Sequence, residues 1–363
     1  MAVNDGSSDD NFDSVADQTV SVTTADDDVA GFTIAETNGS TGVDESGNTD
    51  TFTVVLNAQP TTDVVLSISS SDTGEATATS SLTFTTANWN SPKTVTITGV
   101  DDDIIDGTQN STITVSIIDG ISDDAFDSVA DQTVSVTTAD DDVAGFTVTE
   151  TEGSTGVTEA GSTDLFAVVL NAQPSSDVVF AISSSDTGEA TVTSSLTFTS
   201  ANWDTPQNVT VTGVDDDPID GDQTSTLTIS ILDVVSDDDF DNVPDRTLSV
   251  TTTDDDVAGF TIAETAGSTG VDESGNTDTF SVVLNAQPAT DVVLSISSSD
   301  TGEATVTSSL TFTSANWDTA QTVTVTGADD DIVDGSVSST ITVTVNDGSS
   351  DDNFDSVADQ TVS

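Results

Sequence analysis

The side chains of this sequence that could do chemistry are almost all carboxylates. The chain of 363 residues has 66 acidic residues against 2 Lys and Arg, with no His, no Cys and no Tyr. Of the acidic residues 56 are Asp, which favours turns over helix interiors and is a good ligand for hard metals. Carboxylates without nitrogen or sulfur ligands beside them suit Ca²⁺ and do not suit softer metals.

The formal net charge of -64 excludes several classes of function. Two cations cannot neutralise a nucleic-acid backbone or attach the chain to an anionic membrane surface. Without His or Cys there is no imidazole base, thiol nucleophile, zinc site or disulfide. No apolar run approaches the ~20 residues of a membrane-spanning helix. Acidic sequence follows Met1 and Ala2 at once, so we expect any secretion signal or anchor to lie outside these residues.

The acids are clustered, and the clusters recur with the whole sequence. VVLNAQP stands at 54–60, 168–174 and 282–288, which gives a period of 114 residues, the size of a domain. Residues 3–21 recur identically at 345–363. We therefore predict a trailing strand segment of a preceding repeat at 1–25, and β-sandwich repeats at 26–139, 140–253 and 254–363, the last with a truncated final strand.

Within a repeat, apolar residues alternate with Thr or Ser, as in half-buried strands. In the first repeat the alternation predicts seven short strands, around residues 32–34, 52–56, 64–68, 82–84, 95–97, 113–117 and 134–136. Gly, Asn, Pro, Ser and Asp fill the gaps. The pattern predicts an all-β fold of tandem seven-stranded immunoglobulin-like sandwiches in a linear array. Trp89, Trp203 and Trp317 lie in turns, where we expect them to cap the core.

Strand order predicts where the acids meet. If the strands alternate in direction, one end of the sandwich carries the first loop with Asp44, Glu45 and Asp50, SDTGE at 71–75, DDDIIDG at 101–107 and the triplet Asp140–Asp142. Two unit charges ~4 Å apart repel by about 1 kcal/mol in water and about 4 kcal/mol at an effective dielectric constant of about 20. Such a cluster requires a counterion, and Ca²⁺ accepts its loose geometry better than Mg²⁺. The alternative is that these Asp residues only solvate loops and cap turns.

Other acids give weaker or negative signals. Asp44, Glu45 and Asp50 lie in the first loop; because Thr158 replaces Asp44 in the second repeat, we interpret that position as surface charge. The acidic run at 237–241 at the opposite end could bind metal or cap a turn. An EF-hand loop from Asp102 fails, since its twelfth position is an Ile. The glycine-rich nonapeptide of β-roll repeats is absent.

The repeat resembles the Calx-β motif and similar calcium-binding β-sandwich repeats of large bacterial surface proteins. The matching features are Glu36 in FTIAE, the run TVTITGVDDDIIDG and the closing triplet Asp140–Asp142. The resemblance implies that these acids bind Ca²⁺ together. The implied ligands are Glu36, Asp101, Asp102, Asp103, Asp106, Asp140, Asp141 and Asp142; Glu150, Asp215, Asp216, Asp217, Asp220, Asp254, Asp255 and Asp256; and Glu264, Asp329, Asp330, Asp331 and Asp334.

The sequence also departs from that family. Gln109, Gln223 and Val337 stand where the family often has a further acid, and SDTGEAT replaces its usual GTA…DY segment. We expect the acids of SDTGEAT to substitute for the missing ligands, and we add the triplet that precedes the first repeat. These further predicted ligands are Asp72, Glu75, Asp186, Glu189, Asp300, Glu303, Asp26, Asp27 and Asp28.

Near-identical repeats without linkers favour a structural role. We predict an extracellular rod that Ca²⁺ at the inter-domain junctions makes rigid, as the stalk of a bacterial surface adhesin or a matrix filament in adhesion and biofilm. Its partners would be neighbouring repeats and other copies in a filament. The alternatives are a filament subunit joined by β-strand complementation and a carbohydrate- or surface-binding module. An enzyme is disfavoured, because catalytic sites are not normally copied three times in register. Extracellular calcium modules bind at roughly 10⁻⁴–10⁻³ M, which suits a location outside the cell.

Overall fold

The computed structural model describes residues 1–333 and 335–363 as two compact units, residues 1–142 and 143–363. The first unit contains one sandwich. Its strands are β1 (Phe32–Glu36), β2 (Thr41–Asp44), β3 (Thr49–Leu56), β4 (Val64–Ser70), β5 (Ala76–Ala78), β6 (Ser81–Phe84), β7 (Lys93–Gly99), β8 (Gln109–Ile117) and β9 (Gln132–Ala139).

The second unit contains two more sandwiches of the same kind. The second sandwich is built of β10 (Phe146–Glu150), β11 (Thr155–Thr158), β12 (Thr163–Leu170), β13 (Val178–Ser184), β14 (Ala190–Val192), β15 (Ser195–Phe198), β16 (Gln207–Gly213), β17 (Gln223–Ile231) and β18 (Arg246–Thr253). The third is built of β19 (Phe260–Glu264), β20 (Thr277–Leu284), β21 (Val292–Ser298), β22 (Ala304–Val306), β23 (Ser309–Phe312), β24 (Gln321–Gly327), β25 (Ile341–Val345) and β26 (Gln360–Val362).

The helical elements are single 3₁₀ turns in the loops. They span Asp5–Ser7, Asp10–Phe12, Thr37–Gly39, Asp119–Ile121, Asp124–Phe126, Thr151–Gly153, Asp233–Val235, Asp238–Phe240, Thr265–Gly267, Asp347–Ser349 and Asp352–Phe354. No helix in the described part of the chain has the length and hydropathy needed to cross a membrane.

Each sandwich packs two sheets face to face. In the first, the order β1-β3-β7-β5 faces the order β2-β9-β8-β4-β6. Alternate residues of both sheets point inward, so that Phe52 and Ile97 of one sheet and Leu66 and Val115 of the other share one buried core. The chain is therefore all-β and built of immunoglobulin-like sandwiches. Trp89 packs against this core, in agreement with its predicted capping role.

Two short strands, β2 and β5, join the seven predicted strands. β2 pairs with β9 in parallel, from Thr41 opposite Val136 to Asp44 opposite Ala139. Segments of three or four residues are too short for a recognisable alternation, which is why the sequence did not indicate them. The parallel pairing has a direct consequence for the acids, because both strands end at the same level and the next residue of each is acidic.

The third sandwich has no counterpart of β2 among its described residues. A cavity of about 570 Å³ lined by Val271, Ile341 and Val362 lies along β25 and β26. At the other end of the chain, residues 13–31 contain no strand. The predicted boundaries of the repeats stay predictions.

A glycine at the end of β7 and β16 allows the strand before the acidic loop to approach closely. A Cβ atom at Gly213 would overlap the backbone carbonyl of Thr158, and one at Gly99 would overlap that of Asp44. Backbone cannot yield in the way that a flexible side chain can. The two glycines therefore leave the space in which the end of β2 or β11 lies against the neighbouring sheet.

We expect Gly213→Ala to destabilise the second sandwich by about 2 kcal/mol or more, because overpacked positions force the backbone to shift. Gly156→Ala is the matched control, since a Cβ there would meet only the Thr251 carbonyl at 3.8 Å, an ordinary contact. Differential scanning calorimetry should show a lower Tm for the first variant alone. Equal Tm values for the two variants would contradict the close approach.

Candidate functional site

Five carboxylates of the first sandwich gather at one end of it. Ligand-type oxygens of Glu45, Asp140 and Asp142 lie within 4.8 Å of one another, and so do those of Glu45, Glu75 and Asp106. We call these five residues the first cluster. Glu45 belongs to both groups and therefore lies at the centre of the first cluster. Only 1% of its surface is exposed.

Strand pairing places the central glutamate. The parallel ladder of β2 and β9 continues by one further hydrogen bond, from the Glu45 N–H to the Ala139 carbonyl at 3.1 Å. Glu45 therefore lies beside the start of the triplet, and the Asp141 N–H donates to its Oε2 at 3.4 Å. Glu75 is held from the other side, because its carbonyl accepts from the Val100 N–H at 2.9 Å.

The triplet in turn fixes the acidic loop between β7 and β8. Oδ2 of Asp140 accepts from the backbone N–H groups of Asp106 and Gly107, at 3.1 and 2.7 Å. Oδ1 of Asp140 accepts from the Asp142 N–H at 2.8 Å. One carboxylate thus bridges two loops, and the side chains of Asp106 and Asp142 are directed toward the same space as Glu45.

The second sandwich repeats the arrangement. Oxygens of Glu159, Asp216 and Asp256 lie within 4.8 Å of one another, and we call these residues the second cluster. Glu159 is fully buried at 0% exposure. The Gly221 N–H donates to Asp254 Oδ2 at 2.8 Å, as Gly107 does to Asp140 in the first sandwich. Nearby Glu189 is 8% exposed.

Several of these oxygens are buried without a hydrogen-bond partner in the structure. They are Glu75 Oε2, Asp142 Oδ2, Glu159 Oε1, Glu189 Oε2, Asp216 Oδ1 and Asp256 Oδ2. An ionised carboxylate removed from water and left without a donor is strongly disfavoured. The residues present fit a divalent cation, because carboxylate oxygens converge and six of these oxygens have no hydrogen-bond donor among the described residues.

Burial and mutual repulsion change the acidity of these groups. Burial, with the charges of Asp140 and Asp102 adding to it, raises the pKa of Glu45 to about 7. Burial likewise raises the pKa of Glu159 to about 7, with Asp254 contributing. The pKa values of Glu75, Glu189 and Asp216 are raised by the same two causes, burial first.

The buried aspartates of the triplets follow the same rule. Burial, then repulsion from Asp140, raises the pKa of Asp142 to about 6. Burial, then repulsion from Asp254, raises the pKa of Asp256 to about 6. Groups whose pKa is raised by burial and repulsion in the metal-free protein are groups that a bound cation would stabilise in their charged form.

Some predicted ligands lie outside the two clusters in the described residues. The strand-end glutamates accept from threonine hydroxyls, Glu36 from Thr41 at 3.3 Å and Glu150 from Thr155 at 2.9 Å; Glu264 does so from Thr269. Asp72, Asp186 and Asp300 are exposed and accept from the N–H of Gly74, Gly188 and Gly302. A ligand role for these residues stays a prediction.

The remaining predicted ligands are mostly exposed. Asp102 accepts from the Ile104 N–H at 2.8 Å, and Asp330 accepts from the Ile332 N–H at 2.8 Å. Glu303, in the third sandwich, is half-buried. Asp334 lies outside the described residues. Exposed positions are Asp26, Asp27, Asp28, Asp101, Asp103, Asp141, Asp215, Asp217, Asp220, Asp255, Asp329 and Asp331.

The central glutamates, Glu45 and Glu159, are functional candidates that sequence reasoning missed. A signal existed, since Glu stands at this position in all three repeats while the preceding residue changes from Asp44 to Thr158. The change from Asp44 to Thr158 at the neighbouring position does not extend to the glutamate. The position of the glutamate depends on the parallel pairing of β2 with β9, which the alternation pattern did not reveal.

The acidic runs at the opposite end of the sandwich have a structural explanation. Oδ2 of Asp237 accepts from the Ser175 hydroxyl at 2.8 Å and from the Ser176 N–H at 2.7 Å. The equivalent Asp123 accepts from Thr61 and Thr62, and hydrogen bonding, first from the Thr61 hydroxyl, lowers its pKa to about 2. These aspartates cap turns, the alternative that the sequence had left open.

Comparisons with known proteins concern the fold alone. No protein-family model and no curated protein matches the sequence. Among solved structures, calcium-binding domain CBD12 of CALX1.1 is similar at 15% identity, over 55% of this chain and 80% of its own, with a TM-score of 0.26. A three-domain I-band fragment of titin is similar at 9% identity, over 93% and 95%, with a TM-score of 0.26. Domains 4 and 5 of the S-layer protein SbsC are similar at 15% identity, over 52% and 76%, with a TM-score of 0.24.

We expect the metal-free protein to lose stability as the pH rises from about 5 to about 8. The folded-state pKa values of Glu45 and Glu159 are raised to about 7, so the stability that their protonated forms contribute is present in acid and lost through neutrality. Asp123, with its lowered pKa, acts in the opposite sense and only at much lower pH.

Thermal melts in chelator at the two pH values measure this effect. The double variant Glu45→Gln/Glu159→Gln is the control, because its amides do not titrate, and its Tm should depend less on pH. A wild-type Tm that increases from pH 5 to pH 8 would show that the clusters ionise without cost.

Proposed function

We propose that this chain is a calcium-binding segment of an extracellular structural array, in which Ca²⁺ stiffens immunoglobulin-like sandwiches into the stalk of a surface adhesin or a matrix filament. The observation that carries the proposal is the second cluster, in which Glu159, Asp216 and Asp256 converge and each has one buried oxygen without a hydrogen-bond donor. Such a group is stable in its ionised form only with a cation.

The chemistry of the donors favours calcium. All available ligands are oxygens, and the chain has no His or Cys to select zinc, copper or iron. The first cluster draws its carboxylates from four separate loops, which suits the 6–8 ligands and flexible geometry of Ca²⁺ better than the strict octahedron of Mg²⁺. Backbone carbonyls and waters would complete the shell.

The structural role rests on repetition and on the absence of spacers. In the second unit, the triplet Asp254–Asp256 lies between β18 and β19 with no separate linker, and the same triplet contributes to the second cluster. A cation bound there would fix the chain where one sandwich passes into the next. Because the carboxylates of these loops and strand ends would coordinate the cation, we assign the clusters a binding role and no catalytic role.

An extracellular location is part of the proposal. Extracellular calcium modules bind Ca²⁺ at roughly 10⁻⁴–10⁻³ M, which matches the millimolar calcium outside cells. A ligand that binds only the folded state stabilises it by RT ln(1 + [L]/Kd), so several such sites add a substantial stability at that concentration. The many uncompensated carboxylates would otherwise oppose folding.

Isothermal titration calorimetry at neutral pH tests the proposal. We expect Ca²⁺ to bind at clusters of both the first and second sandwiches, and the Glu45→Gln/Glu159→Gln double variant to lose about tenfold or more in affinity, because each central ligand loses its charge. Glu152→Gln is the matched control, an exposed glutamate outside the clusters. A wild-type chain that binds no Ca²⁺, or a double variant that binds as tightly as the control, would refute the assignment.

The same titration measures whether Glu150 is a ligand. Its carboxylate accepts from the Thr155 hydroxyl at 2.9 Å and is outside the second cluster. The resemblance to the Calx-β motif implies that Glu150→Gln weakens Ca²⁺ binding, and wild-type affinity in this variant would show that Glu150 is not a ligand. A loss as large as that of Glu159→Gln would place Glu150 in the coordination shell.

A further inference from the structure

The loop between β16 and β17 contacts the third sandwich through its backbone. The Gln287 N–H donates to the Asp217 carbonyl at 2.8 Å, and the Ile219 N–H donates to the Gln287 carbonyl at 3.5 Å. Together they form an isolated parallel bridge between Pro218 and Gln287. We call residues 217–219 the docking segment.

An apolar contact and a side-chain hydrogen bond accompany the bridge. Ile219 packs against the hydrophobic core of the third sandwich, in the same cluster as Ala258 and Trp317. The Asn353 side-chain amide donates to the Ile219 carbonyl at 3.1 Å. A single residue of the loop is therefore held by its side chain, its N–H and its carbonyl.

Pro218, the residue before Ile219, suits this backbone contact. A parallel bridge at position 218 employs the carbonyl of Asp217 and the N–H of Ile219, so the missing N–H of Pro218 costs no hydrogen bond. The proline ring also restricts the backbone of the loop before it docks. The equivalent positions in the other repeats are Ile104 and Ile332.

The base of the docking segment is fixed on its own sandwich. Asp216, on one side, belongs to the second cluster, and the Gly221 N–H, on the other side, donates to Asp254 at 2.8 Å. Carboxylates therefore fix both ends of the docking segment on the second sandwich. Asp217 and Ile219 form its backbone hydrogen bonds to the third sandwich.

We propose that residues 217–219 form a recognition element whose partner is the adjoining end of another sandwich of this repeat type. In the third sandwich, the Gln287 backbone and the Asn353 side-chain amide bind this element. The apolar side chain of Ile219 supplies the contact area. The hydrogen bonds set the direction, because they require a backbone edge and an amide donor at fixed positions.

Sequence differences between the repeats make this recognition selective. In the first and second sandwiches the positions equivalent to Asn353 hold Ala125 and Asp239, neither of which offers an amide N–H. The position equivalent to Ile219 in the third sandwich is Val333, which is fully exposed at 104%. Neighbouring Ile332 is 65% exposed. The third sandwich thus presents the same element with its apolar side chains in solvent, available to a sandwich end that carries the matching amide.

Distance measurements between the second and third sandwiches test the inference in the full chain. The sequence has no cysteine, so Thr191→Cys and Thr305→Cys, both exposed, allow two nitroxide labels to be placed at equivalent positions of the two sandwiches. With excess Ca²⁺, we expect a narrow distance distribution for the wild type. Ile219→Ser should broaden it about two-fold or more, since adjacent domains move freely unless an interface holds them.

Two further variants make the result interpretable. Asn353→Ala should also broaden the distribution, and the sandwich should accept it, because Ala125 stands at that position in the first repeat. Val333→Ser is the matched control and should leave the distribution unchanged. Distributions of wild-type width for both Ile219→Ser and Asn353→Ala would overturn the proposal.

The inference rests on the proposed function only for the base of the segment, and the two can fail separately. If calorimetry detects no Ca²⁺ while Ile219→Ser still broadens the distribution, the metal proposal fails and the recognition element stands. If Ca²⁺ binds and Ile219→Ser has no effect on the distribution, the recognition element fails and the metal proposal stands.

Discussion

Repulsion among buried carboxylates is the constraint on which the rest of this structure depends. Glu45 and Glu159 are almost inaccessible to solvent, yet each faces further acids within 4.8 Å. Nothing in a hydrophobic core requires this arrangement, and it opposes folding whenever the groups are ionised. The sandwich nevertheless maintains it with a parallel strand pair, a glycine that permits close approach, and a triplet whose first Asp ties two loops together. The strand pair, the glycine and the triplet together hold these like charges close to one another.

The sequence predicted the frame of this site better than its centre. Alternating apolar residues were sufficient for the seven main strands, because a half-buried sheet imposes a period of two. The acidic loops could be assigned to one end from strand order alone. Strand order placed Glu45 at the same end but not at the centre of the cluster, since that position depends on the pairing of β2 with β9, two segments far apart in sequence and too short to show a pattern. Glu36 shows the opposite case, a residue that a motif singles out and that hydrogen-bonds to Thr41.

Identical segments of this chain show how far local sequence determines structure. Residues 3–21 and 345–363 have the same sequence. Gln360–Val362 forms a strand because it pairs with β25, and Phe354 is completely buried. The equivalent Gln18–Val20 forms no strand, and Phe12 is 58% exposed. Thr- and Val-rich sequence permits a strand, but a partner edge and a core decide whether one forms.

The parallel ladder of β2 and β9 also has a mechanical meaning. The chain enters the sandwich before β2 and leaves it after β9, so tension on the two ends pulls these strands in opposite directions along their length. Their hydrogen bonds are then loaded in shear and must break together, whereas strands pulled apart from one end unzip bond by bond. Glu45 and Asp140 stand at the end of that ladder. An ion held between them would clamp the two strands at the end of the ladder where the chain leaves the sandwich.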